Sequence, residues 1–174
     1  MPRIWLFTDQ RNDHHLARAI KKLPRGSGII FRHYHLPESI RQSRFKLVQQ
    51  LARRHGHMLI LADMPKLARC WHADGAHGLA RHRWQTAGLP SSAPVHNSRE
   101  IHQANRAGTD IFFLSPVFAT RSHPGQRPLN RMQVRRLADL CNGVVILLGG
   151  MNRKRYRSHE SDLTHGWAGI DAFS

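Results

Sequence analysis

The chain has 174 residues, 40% of them hydrophobic, which suits one domain built around a single core. Lysine and arginine total 27 against 11 acidic residues, a formal net charge of +16 before any of the 14 histidines takes a proton. That charge favours anionic partners, whether phosphorylated metabolites, nucleic acid or anionic lipid, although a solvated basic coat has the same composition. Two distant cysteines, Cys70 and Cys141, in no CxxC pattern argue against a disulfide scaffold. No run approaches the ~20 apolar residues of a membrane span, and the four before Thr8 are too few for a signal peptide. A soluble, cytoplasmic protein is expected.

Ile4 to Phe7 reads as the first strand and ends at Thr8-Asp9. Asn12 or Asp13 can cap a helix with Leu16, Ala19, Ile20 and Leu23 on one face, stopped by Pro24 and Gly26. Gly28 to Phe31 is the second strand, with Arg32 at its end. Pro37 to Ser39 opens a second helix with Ile40, Phe45, Leu47, Val48 and Leu51 inward, and its arginines, Arg41, Arg44, Arg53 and Arg54, read as a solvated face. Met58 to Leu61 is the third strand, followed by Ala62-Asp63 and a short helix to about Cys70. Gly75 to His77 and Ala93 to Val95 are brief fourth and fifth strands. Ser98 caps a helix from Arg99 to Ala107 that ends at Gly108. Ile111 to Leu114 is the sixth strand, Leu129 to Leu140 a helix, Val144 to Leu148 the seventh strand. Arg153 to Ser158 is a short helix and Trp167 to Ile170 the eighth strand.

Eight short strands alternating with helices point to a compact (β/α)8 TIM barrel of a single domain, with no room before Ser174 for a final helix. Periodicity alone leaves an open doubly wound sheet as the alternative. The sixth and seventh strands are continuous apolar runs, as strands covered on both faces are. Each gives way at its C-terminal end to polar or glycine-bearing chemistry, Ser115 to Pro124 in one case and Gly149-Gly150-Met151 in the other. In parallel α/β folds that end carries the ligand site. The loop from Ser115, with Thr120, Ser122 and His123, is long for a compact domain. Cys70, His72, His77 and His82 lie close in sequence, but no HExxH or paired CxxC frames a zinc site. His33 and His35 read as polar residues at a loop mouth.

Three segments carry a family resemblance: Asp74 to His77; Gly108 to Asp110 leading into Ser115-Pro-Val-Phe-Ala-Thr-Arg-Ser122; and Leu148 to Met151. In order and spacing they resemble thiamine phosphate synthase and its relative the thiazole tautomerase over nearly the whole chain. The resemblance implies a TIM barrel that joins a hydroxymethylpyrimidine diphosphate to a thiazole phosphate, with Mg²⁺ assisting release of diphosphate. It implies that Arg32, Thr120 and Ser122 meet the diphosphate, that Asp63 binds metal, and that Gly149, Gly150 and Ser174 hold the thiazole phosphate. His123 stands where the family has a lysine, and is expected to supply that cation. Other positions depart: Ile30 and Tyr34 replace a glutamine and a lysine, Ala62 an asparagine, and Pro94 a serine. A second metal aspartate falls near His82, and the tautomerase histidine position is Pro116. The departures leave a non-catalytic binder of thiamine-pathway phosphates as an alternative. A basic nucleic-acid-binding protein is a third, for which no recognition motif is visible.

Overall fold

The structure is a computed structural model that describes residues 1–78, 88–120 and 125–173. Its eight strands are β1 (Ile4–Phe7), β2 (Gly28–Phe31), β3 (Met58–Leu61), β4 (Gly75–His77), β5 (Ser91–Val95), β6 (Ile111–Leu114), β7 (Val144–Leu147) and β8 (Gly166–Gly169). They pair in sequence order, all parallel, and close on themselves. Closure is made by β1 and β8, with Ile4 opposite Trp167 and Leu6 opposite Gly169. This decides for the barrel over the open sheet. Strands of three to five residues let so short a chain complete the circuit.

Alternation along the strands sorts the core into an inside and an outside. Trp5, Phe7, Ile30, Ile60, Ile111, Phe113 and Ile146 fill the interior. The Phe113 ring meets Trp5 and Phe7 edge-on, with centroids 5.4 and 4.9 Å apart. Gly28, beside Trp5 in the register, is the space for that indole: a Cβ there would lie 2.2 Å from the ring. Outward residues pack under the helices in two groups, one beneath α1 (Leu16–Lys22), α2 (Glu38–His55) and α3 (Pro65–Cys70), the other beneath α4 (Ser98–Ala107), α5 (Arg131–Asp139) and α6 (Arg153–Arg157).

The helices begin where short polar side chains can take their orphan N–H groups. Asn97, Asn130 and Asn152 accept from the third residue of α4, α5 and α6. The expected caps shift accordingly: Asn97 rather than Ser98 caps α4. Asp9 caps a 3-10 turn (Gln10–His15) ahead of α1, with Asn12 returning a bond to its backbone in place of acting as cap. α2 departs further from expectation. Its inner face is Arg41, Phe45, Val48 and Ala52, while Ile40 and Leu47 are more than half exposed. Arg41 is therefore a buried residue and not part of a solvated face. No described helix is long and apolar enough to cross a membrane.

Candidate functional site

At the C-terminal ends of the strands lies a cavity of about 280 Å³. Phe7 and Arg32 border it from β1 and β2, Ser115 and Thr120 from the segment after β6, Leu148 to Asn152 from the turn after β7 with Arg155 of α6, and residues 169–172 from the end of β8. Four expected site residues, Arg32, Thr120, Gly149 and Gly150, are thus brought together from three separate stretches of chain. Ser122, His123 and Ser174 lie outside the described residues, as do Arg121 and His82.

Arg32 is held rather than free to swing. Its Nε donates to Thr8 O at 2.9 Å, its Nη2 to Asp9 Oδ2 at 2.7 Å, and its guanidinium lies over the Phe7 ring, 5.4 Å from the centroid. Burial pushes its pKa down and Asp9 acts against that. Nη1 has no hydrogen-bond partner among the described residues. The backbone that carries Arg32 is fixed by a buried relay. Thr8 Oγ1 accepts from Arg32 N at 3.0 Å and donates to His33 Nδ1 at 2.8 Å, and His33 Nε2 donates to Asp13 Oδ1 at 2.8 Å. Arg44 closes the relay with Nε and Nη2 on the same Asp13 oxygen. His33 is 1% exposed and sits at φ +45°, a left-handed conformation that this relay and its stacking on Phe31 sustain. Its hydroxyl partner, Thr8, is fully buried, so the relay positions Arg32 and does not itself meet a ligand. Sequence spacing gave no sign of it, because its members come from β1, the turn after it, the end of β2 and α2.

The opposite wall is the Gly149-Gly150 turn. Both glycines have positive φ, +94° and +60°. A Cβ on Gly149 would lie 2.8 Å from Pro116 Cα, and one on Gly150 2.7 Å from Ala119 O. The glycines therefore let this turn lie against the segment after β6, to which it is bonded through Val117 N to Leu148 O and Phe118 N to Gly149 O, each 3.0 Å. The N–H groups of Gly149, Gly150 and Met151 make no hydrogen bond among the described residues, and all three residues border the cavity. Arg155, unmarked by the motif, stands beside them. Its guanidinium lies over Phe118, 4.7 Å from the centroid, and donates to Gly150 O. The signal that could have found it is an arginine three residues after an asparagine cap, directly behind a Gly-Gly turn.

His77 ends β4 inside the barrel, edge-on to Phe7 and Phe113, with Nδ1 2.9 Å from Ser92 Oγ. Ser92 donates to Ala76 O, so its oxygen accepts from His77 Nδ1–H and Nε2 keeps a lone pair. Burial, with the Arg32 charge acting in the same direction, pushes the His77 pKa down to about 3, and the ring is neutral.

Asp63 follows β3 as expected, but both its oxygens are engaged. Oδ2 accepts from Arg41 Nη1 at 2.6 Å and Oδ1 from Met64 N at 2.7 Å. No three metal-ligating side chains converge among the described residues. Among the described residues the groups around Asp63 do not make a magnesium site.

Eight parallel strands closed around a side-chain core, with polar groups gathered at their C-terminal ends, define a (β/α)8 barrel. Sequence comparison then gives the family: the chain belongs to the thiamine monophosphate synthase family, matched over residues 4–173. Membership places it in thiamine biosynthesis. It is similar to a protein of Aquifex aeolicus provisionally named thiamine-phosphate synthase 2, at 24% identity over 99% of this chain and 98% of that one. It is also similar to the thiamine-phosphate synthase of Chloroflexus aurantiacus, at 31% identity over 61% of this chain and 52% of that protein. The fold is shared with a thiamine phosphate pyrophosphorylase from Pyrococcus furiosus, with a TM-score of 0.81 and 21% identity over 98% of this chain and 86% of that one.

Proposed function

We propose that this protein joins a hydroxymethylpyrimidine diphosphate to a thiazole phosphate, giving thiamine phosphate and diphosphate. The carbon–oxygen bond to the diphosphate breaks, the leaving group keeps the electron pair, and the thiazole nitrogen bonds to the freed carbon. Negative charge gathers on the leaving group, so the reaction needs cations fixed where that charge appears. The observation that carries the reading is Arg32. It is clamped by Asp9 and Thr8, with no partner for Nη1 among the described residues, in one cavity with Thr120 and with the amides of Gly149 to Met151, which make no hydrogen bond among the described residues. In this reading Arg32, Thr120, Ser122 and His123 meet the diphosphate. The amides of Gly149 and Gly150 and the hydroxyl of Ser174 hold the thiazole phosphate.

The test is formation of thiamine phosphate from both substrates, with Arg32→Ala and His123→Ala as comparisons. Loss of a donor aimed at developing charge lowers turnover by ~10²-fold or more. Wild-type turnover in Arg32→Ala would refute its role. A second reading is favoured by Asp63, whose carboxylate is already neutralised by Arg41: a binder of thiamine-pathway phosphates that does not turn them over. Calorimetric binding of thiazole phosphate with no product from the pair of substrates would select it.

A further inference from the structure

All eleven aspartate and glutamate side chains of the sequence lie within the described residues, and four of them stand around the ligand end of the barrel. Asp9, after β1, takes Arg11 at 2.9 Å and Arg32 at 2.7 Å. Asp13, in the 3-10 turn, takes Arg44 at 2.7 Å. Asp63, after β3, takes Arg41 at 2.6 Å. Asp171, after β8, borders the cavity and faces Arg11 at 3.9 Å. Each of these four carboxylates lies within 4 Å of a guanidinium, and among the described residues no three metal-ligating side chains converge. A small hard cation such as Mg²⁺ needs several oxygens in near-octahedral array and gives up its water reluctantly.

Arg41 is the most firmly placed of these cations. Besides Asp63 it donates from Nε to Arg32 O at 2.8 Å and from Nη2 to Ala62 O at 2.9 Å. It lies between the rings of Tyr34 and Trp71, at 5.3 and 5.6 Å, and its side chain is 8% exposed. Withdrawing it would strip its hydrogen bond from two carbonyls and from Asp63 Oδ2, and leave the carboxylate with only Met64 N. A metal ion competing for Asp63 would have to meet that cost.

We propose that this site binds its anion with guanidinium groups in place of a divalent cation: Arg41 occupies Asp63, and Arg32 and Arg155 face the cavity as the ligand's positive partners. The ligand class is a diphosphate or a pair of phosphates, and the inference rests on the phosphorylated-substrate reading above. Planar guanidinium forks match phosphate oxygens in pairs and stay charged at every physiological pH.

Two measurements on the whole protein test it. Electron paramagnetic resonance of Mn²⁺, with no phosphate present, reads metal binding directly. The ion's free signal is expected to persist in full, and stoichiometric loss of that signal, restored by Asp63→Asn or Asp171→Asn, overturns the proposal. Calorimetry with inorganic pyrophosphate then reads the anion. Affinity in EDTA is expected to equal or exceed that in Mg²⁺. Arg32→Met and Arg155→Met, checked for folding by thermal melting, should each weaken it by about tenfold, the loss of one charge-assisted hydrogen bond. Binding that is about tenfold tighter with Mg²⁺, or unchanged in both variants, overturns it. Thiamine phosphate formation that demands Mg²⁺ would refute this inference and leave the proposed function standing. Pyrophosphate binding in EDTA with no product would do the reverse.

Discussion

Arg41→Met removes the guanidinium and keeps a chain of similar length between Tyr34 and Trp71. Three hydrogen bonds go with it, to Asp63 Oδ2, Arg32 O and Ala62 O. A bond to a charged group contributes ~1.5–3 kcal/mol, and a buried partner left bare costs more than one that water can reach. Asp63 is 27% exposed, so solvent recovers part of its loss, whereas Ala62 is buried at 1%. The net cost is about 3 kcal/mol, within the range for breaking a largely buried pair from one side. For a chain of this size that corresponds to a fall in Tm of about 6–12 °C. Urea denaturation of Arg41→Met, of Asp63→Asn and of the double variant gives a coupling energy, expected at about 1–2 kcal/mol. A cost below ~1 kcal/mol for Arg41→Met with no coupling would refute the view of Arg41 as an internal cation, because exposed pairs fall in that range.

Phe113→Ala empties the ring position shared by Trp5, Phe7 and His77 and should cost about 3–5 kcal/mol in urea denaturation; a loss below ~2 kcal/mol would mean the barrel interior closes over the gap. Gly26→Ala, at φ +78° in open space, should cost about 1 kcal/mol, whereas Gly150→Ala adds a collision with Ala119 O and should lower Tm clearly further; equal melting points would remove the packing role of Gly150. His77 is held neutral, its pKa down from 6.5 to about 3, so the unfolded chain binds the extra proton first. Its stabilising contribution is full above about pH 6.5 and is lost as pH falls towards 3, at up to ~1.4 kcal/mol per pH unit. His33 and His57, both lowered by burial, act in the same direction, so His77→Gln should reduce the slope of stability between pH 6.5 and 4 without abolishing it; an unchanged slope would refute the assignment.

Much of the fold was legible in residue order. The strands announced themselves because a strand covered on both faces must be apolar along its whole length, and Ile111–Leu114 or Met58–Leu61 has few other readings. Gly108 marked the end of α4 for an equally local reason, a left-handed φ of +72°. The caps were placed less well, since Asp9, Asn97 and Asn130 each compete with polar neighbours and only backbone direction chooses among them. That Arg32, Thr120, Gly149 and Gly150 border one cavity was readable because each lies in the stretch after a strand, and strand ends converge in a parallel barrel. Closure itself was not readable. It depends on β1 meeting β8 across nearly the full length of the chain, and no window of sequence contains both. The same limit hid the inner face of α2. An arginine at position 41 looks solvated until Asp63, Ala62 and Arg32 are brought around it, and Arg155 looks like one of a basic run until the Gly149-Gly150 turn sets it beside Phe118. Local patterning determined which residues form strands and where their polar ends lie. Which charges neutralise one another, and so which remain for a ligand, was decided by contacts between segments far apart in sequence, because a buried charge is stable only beside the partner that the fold delivers to it.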